Sequence, residues 1–333
     1  MTKLLLKLGL GLASIIVLIF LGQLIFDSVY RFPQKITYGV SFSPKYARYL
    51  GLDWKQTYIN SLDLGIKNFR IPTYWSEIEK KLEEFSFEDI DFMLSEAQKK
   101  QAKIILVVGL RQPRWPECYV PSWAKNLSKQ EKNQKILQFI EKTVDRYKDD
   151  PSVWAWQVEN EPLLPFFGEG CTSPDQNFLK TEVEQVRRLS SKSIIVTDSG
   201  ELGFWVKPMS LSDIFGTTVY RKAYDPVLGY KVYPILPYLY NIKSSVARIF
   251  APSNKKTIIA ELQAEPWLSQ KDLSEGSPAK QAQIFSMNDF KNYIDYAKKT
   301  GFDEAYLWGV EWWYFMANHG HPEYLEYAKT LFD

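Results

Sequence analysis

The sequence predicts an α/β chain, a closed (β/α)8 barrel preceded by a single N-terminal transmembrane helix. Two observations carry that expectation. From residue 36 onward, eight short apolar runs alternate with amphipathic stretches, the sequence form of βα units and a parallel sheet. Ahead of them lies an uncharged run of 19 residues, Leu8 to Phe26. An open, doubly wound sheet has the same alternation and stays possible on pattern alone. No G-x-G-x-x-G turn follows the first run, so dinucleotide binding is not supported.

The N-terminal run reads LGLGLASIIVLIFLGQLIF. As a helix it spans roughly 28 Å, close to the bilayer core of about 30 Å. Lys3 and Lys7 precede it, which places the N-terminus in the cytoplasm and the remainder outside. A cleaved signal peptide, giving a secreted protein, is the alternative. It calls for a shorter apolar region and a small-x-small site, and Asp27, Ser28, Val29, Tyr30 and Arg31 offer none. The chain divides into an anchor, 1–31, and one barrel domain, 32–333.

The eight runs are Ile36–Phe42, Asn68–Thr73, Lys103–Gly109, Val153–Val158, Ser193–Thr197, Ile214–Tyr220, Thr257–Leu262 and Glu304–Val310. Most are almost continuously apolar, as strands covered on both faces must be. Helix signals lie between them. Ser86-Phe87-Glu88-Asp89 reads as a capping box ahead of the stripe Ile90, Met93, Leu94 and Ala97. Ile136, Phe139, Ile140 and Val144 form a second stripe, stopped by Asp150-Pro151. Ser286-Met287-Asn288-Asp289 opens a third helix, and Gly301 closes it.

Composition narrows the chemistry. Lys+Arg of 41 nearly balances Asp+Glu of 39, so neither a nucleic-acid partner nor an acidic tail is indicated. The only histidines, His319 and His321, flank Gly320 and read as a surface turn; no metal site and no cofactor is expected. H-E-x-x-H, G-x-S-x-G and P-loop patterns are absent from the sequence. The 11 Trp and 20 Tyr suit either core packing or flat platforms for sugar rings.

In a barrel, chemistry sits where strands end at their C-terminal side. Run four leads into Glu159-Asn160-Glu161-Pro162, and run seven contains Ala260-Glu261-Leu262. Cleaving a glycosidic bond with retention needs two such carboxyl groups about 5–5.5 Å apart. One protonates the leaving oxygen and the other attacks the anomeric carbon. Glu159 and Glu265 are the rival carboxylates.

Asn160-Glu161-Pro162 after an apolar strand, with Glu261 about 100 residues on, resembles the large clan of retaining glycoside hydrolases on TIM barrels. That clan includes cellulases, β-mannanases, β-galactosidases and β-xylosidases. The resemblance implies Glu161 as acid/base, Glu261 as nucleophile, and Asn160 as a partner of the sugar 2-hydroxyl. It implies Arg70 as the strand-two arginine that keeps Glu261 ionised, Tyr220 as the tyrosine touching the nucleophile, and Trp308 as the floor of the sugar site. Trp75, Trp115, Trp267, Trp312 and Trp313 follow strand ends, and among them Trp75 and Trp312 are expected to bind substrate. Typical cellulases of the clan also carry a histidine near the end of strand three and another two residues before the strand-six tyrosine. This chain has Arg111-Gln112 and Thr218 there.

Cys118 follows run three and Cys171 follows run four. In a barrel those loops share a rim, so a disulfide is expected outside the cytoplasm; two free thiols are the alternative. The expected partner is an oligo- or polysaccharide, with the membrane reached through the N-terminal helix, and the barrel is expected to be a monomer. A catalytically silent barrel that binds polysaccharide at the cell surface is the other functional reading.

Overall fold

All eight apolar runs form strands of one closed parallel barrel in the computed structural model of the chain. In chain order the strands are β1 (Thr37–Ser41), β2 (Asn68–Pro72), β3 (Lys103–Val108), β4 (Val153–Val158), β5 (Ser193–Asp198) and β6 (Ile214–Val219). A small antiparallel hairpin follows, β7 (Lys222–Asp225) and β8 (Gly229–Val232). The barrel closes with β9 (Lys256–Gln263) and β10 (Glu304–Trp308), in the order β1-β10-β9-β6-β5-β4-β3-β2. The structure describes residues 35–165, 168–171, 175–225, 227–251, 256–268 and 276–332, with four isolated positions at 11, 14, 17 and 22. Apart from those four positions, the expected transmembrane helix, 8–26, lies outside the described residues. Among the described residues no helix is long and apolar enough to cross a membrane.

The strand residues divide between two cores. Ile105, Ala155, Ile195, Ile258 and Tyr306 form a cluster inside the barrel. Their neighbours face outward and pack with the helices. Helix Lys129–Tyr147 buries Ile136, Phe139, Ile140 and Val144, and helix Glu88–Lys99 buries Ile90, Met93, Leu94 and Ala97, as the stripes predict. Ser286 opens helix Met287–Lys298 as expected, and it does so through a capping box with Asp289. Gly301 beyond that helix takes φ 83°.

The capping box at Ser86 is not formed. Helix Glu88–Lys99 is capped by Phe87 without a side-chain bond. Ser86 lies one residue too early, and its backbone N–H donates to Ile78 O at 2.9 Å. Glu88, Asp89 and Asp91 in the first turn meet the positive helix end instead.

Register decides where the strand-end side chains arrive. Ser41 lies beside both Arg70 and Trp308, and Thr218 lies beside Glu261. β9 carries an extra residue against both neighbours. Thr217 pairs with Ile259 while Thr218 pairs with Glu261, and Ala305 pairs with Ile259 while Leu307 pairs with Leu262. This bulge inverts the alternation. Ile258 faces inward and Ile259 outward, yet Glu261 faces inward and Leu262 outward.

Candidate active site

Arg70 is the hub of the site. It is fully buried on β2 and spends its donors in four directions. Nε donates to Gln157 Oε1 at 2.7 Å and Nη2 to Asn160 Oδ1 at 2.6 Å. Nη1 donates to Glu261 Oε1 at 2.8 Å and to Ser41 Oγ at 3.3 Å. Tyr220 OH donates to the other oxygen, Glu261 Oε2, at 2.8 Å. Burial first, then the charge of Glu261, raises the Tyr220 phenol well above its usual range, so it stays a donor. Arg70, Asn160, Tyr220 and Glu261 thus form one bonded group around a buried carboxylate.

Glu161 is held differently. Thr218 Oγ1 lies 3.3 Å from Glu161 Oε1, 3.1 Å from Glu201 Oε2, and accepts from Gly200 N at 3.0 Å. One hydroxyl hydrogen cannot serve two carboxylates, whereas a protonated Glu161 can donate to Thr218 Oγ1. Electrostatics point the same way. Burial and then the charges of Glu261, Glu117, Asp198 and Glu201 raise the Glu161 carboxyl well above its usual range.

The backbone that presents Glu161 is strained. Glu159 (φ 61°) and Glu161 (φ 44°) both lie in the left-handed region, which costs non-glycine residues about 1–3 kcal/mol each. Bonds on every side compensate. Glu159 Oε1 and Oε2 accept from Leu110 N and Arg111 N at 2.6 and 2.5 Å. Asn160 N donates to Arg111 O at 2.9 Å, and Glu161 N to Thr197 Oγ1 at 2.9 Å. Gly109 (φ 111°) makes the arrangement possible, since a Cβ there would lie 2.2 Å from Glu159 Oε1. Glu159 is therefore a brace for the end of β3. Glu265, the other rival, forms a buried ion pair with Arg114.

The family model of cellulase (glycosyl hydrolase family 5) matches residues 37–262, from β1 through Glu261. The chain belongs to glycosyl hydrolase family 5. No curated protein matches it. Among solved structures, this family 5 chain is similar to a GH5_18 variant from Bifidobacterium longum subsp. longum in complex with Manβ1-4GlcNAc. Identity is 11%, with 82% of this chain and 68% of that chain covered at a TM-score of 0.58. A glycosylated endo-β-1,4-xylanase of family 10 from Gloeophyllum trabeum aligns at 14% identity, covering 83% and 84%, with a TM-score of 0.54. A β-galactosidase from the psychrophilic Marinomonas ef1 aligns at 15% identity over 69% of this chain, with a TM-score of 0.49. The chain spans 49% of that protein's length.

Within the family 5 barrel, two of the expected platforms are corrected. Trp75 is fully buried against Trp123 and Phe139, with Nε1 donating to Glu79 Oε2 at 2.6 Å. Trp312 is fully buried between Phe285 and Tyr324, with Nε1 donating to Gln281 Oε1 at 2.7 Å. Trp313 is buried likewise, on Ala264 O. A ring with no exposed surface has no face left for a sugar, so these three are core. Trp308 remains half-buried at the rim of a depression lined by Ser41, Phe42, Pro72 and Arg114. Trp115 is exposed, and Trp267 meets Tyr220 edge-on at 5.0 Å.

The two positions without histidine are occupied to other ends. Arg111 Nη1 donates to Glu161 O at 2.9 Å and Leu164 O at 2.7 Å, and its Nη2 meets Glu117 Oε2 at 3.0 Å. Thr218 sits between Glu161 and Glu201, as above. Residues that the sequence did not single out complete the site. Arg114 pairs with Glu265 and Glu311 and stacks its guanidinium on Tyr46 (3.9 Å) and Trp308 (4.2 Å). Glu201 accepts from Tyr220 N at 2.8 Å and Tyr240 OH at 2.7 Å. Gln157, polar within an otherwise apolar strand, was the one of these with a visible signal. The expected disulfide joins Cys118 to Cys171, with Cα atoms 5.2 Å apart.

Proposed function

We propose that the chain is a retaining β-glycosidase with Glu261 as nucleophile and Glu161 as acid/base. The carrying observation is the asymmetry between the two carboxyl groups. Glu261 receives hydrogen bonds from Arg70 and Tyr220, which suit an ionised group. Glu161 is buried among negative charges that favour its protonated form. In the first step a Glu261 oxygen bonds to the anomeric carbon as the bond to the leaving oxygen breaks. Glu161 passes its proton to that oxygen. In the second, Glu161 takes a proton from water, whose oxygen bonds to the anomeric carbon and releases Glu261. Asn160, fixed by Arg70, stands beside Glu161 to meet the sugar 2-hydroxyl.

Aryl β-glycosides test the assignment. Glu161→Ala is expected to release a burst of dinitrophenolate and then stall, with azide restoring turnover as a β-glycosyl azide. Glu261→Ala is expected to be inactive and to yield an α-glycosyl azide on rescue. A β-azide from Glu261→Ala overturns the roles. Wild-type chain that binds glycans and cleaves none of a panel of β-glucan, mannan and xylan fragments is instead a silent binding barrel.

The same chain is read as a single-pass membrane protein with the barrel outside the cytoplasm. The uncharged run Leu8 to Phe26 behind Lys3 and Lys7 supports this reading, and so does a disulfide within the barrel. Release of the full chain from membranes by alkaline carbonate would refute it.

A further inference from the structure

Helix Tyr238–Phe250 is built the wrong way round for a helix in water. It buries Tyr238, Tyr240, Ser244 and Ala247, and exposes its larger aliphatic residues. Leu239, Ile242, Val246, Ile249 and Phe250 share its outer face, the last two at 73% and 68% exposure. Helix Lys129–Tyr147, across the barrel, does the reverse and buries its aliphatics. The apolar surface continues onto the turn after β5. Phe204 there is 90% exposed, and its neighbour Trp205 packs on Tyr240 of the same helix. The tip of hairpin β7–β8, in the same stretch of chain, exposes Val227 and Leu228.

Charge is distributed to match. Residues 202–256 hold eight Lys or Arg and two Asp, with no Glu, while the whole chain is +2. The remainder of the molecule is therefore net acidic. The only charged residues of helix Tyr238–Phe250 are Lys243 and Arg248, so pressing two such helices together in a dimer is opposed by repulsion. An apolar face on a helix whose only charges are basic fits a surface that is apolar within and anionic at its boundary.

We propose that helix Tyr238–Phe250 and the Phe204 turn form a face that seats the barrel on an anionic lipid surface. The proposal rests in part on the anchor reading. Only residues 27–34 separate the apolar run from the described barrel, a reach of at most about 29 Å, so the barrel is kept near the bilayer that the run would enter.

The full chain is reconstituted in phosphatidylglycerol–phosphatidylcholine vesicles after placing an environment-sensitive fluorophore at Ile249→Cys. Gln134→Cys on helix Lys129–Tyr147 is the control. Both native cysteines are paired and do not compete for label. The expected result is a blue-shifted Ile249 label, quenched severalfold more by doxyl lipid than the Gln134 label. The excess should be lost in pure phosphatidylcholine. Carbonate-resistant chain with equal quenching at both sites overturns the face and leaves the anchor standing. Chain washed off by carbonate whose Ile249 label is still quenched on anionic vesicles overturns the anchor and supports the face. An Ile249 label shielded from aqueous iodide yet not quenched by lipid identifies a protein partner and overturns the proposal.

Discussion

Tyr220 gives Glu261 one hydrogen bond, and removing its hydroxyl isolates what that bond does. A hydrogen bond to a charged group contributes about 1.5–3 kcal/mol, so Tyr220→Phe is expected to lower kcat/KM about 10–100-fold. The backbone N–H that Glu201 receives stays in place, so the melting temperature should hardly move. A loss of fold in circular dichroism instead would make Tyr220 a structural residue. Residues of this kind were legible because a carboxylate, an arginine or a tyrosine at the end of an apolar strand has few other reasons to be there. Tryptophan has many. The same indole that stacks on a sugar also fills a core, and nothing local distinguishes Trp75 and Trp312 from Trp308. Arg114 and Glu311 were invisible for another reason: they lie 197 residues apart, and only the closed barrel brings them together.

At the scale of elements, existence and order of the strands were readable, because eight apolar runs have few other arrangements. The facing of β9 was not. Strict alternation from the inward Ile258 would put Ala260 inside and Glu261 outside, and the bulge reverses this. Position at the strand end found Glu261, where periodicity would have rejected it. The Ser86 cap failed on a single residue of phase, a margin that helix-end reading rarely resolves. The loops after β3 and β4 carry Arg111, Arg114, Glu117 and Glu161, and the disulfide ties them together. Its sequence separation of 53 corresponds to about 4 kcal/mol in the chain-entropy account. Cys118→Ser with Cys171→Ser is expected to lose stability of that order in urea titration. A change under about 1 kcal/mol would mean that residual structure in the unfolded chain already keeps these two loops close together.

For the molecule as a whole, the site's buried acids set the pH response. Burial pushes Glu117 and Glu311 up to about 7, with Arg111 and Arg114 opposing, and Asp198 up to about 6. Unfolded carboxyls titrate near about 4. Between those limits the folded state binds more protons, so the stability these groups contribute is complete below about pH 4 and lost as pH rises toward about 7. The exposed Asp175 and Asp225, shifted downward, act below this window. The melting temperature is expected to fall from pH 5 to pH 8, and a rise over that interval would contradict the protonated site. The Cys118–Cys171 bond has one more effect on the molecule. It closes the chain between those residues into a covalent ring, and Glu161 lies inside it. A protease that nicks the rim anywhere in that ring leaves two fragments still joined. Cut protein would run as a single species on a gel until reductant is added, with Glu161 and Glu261 retained in one molecule.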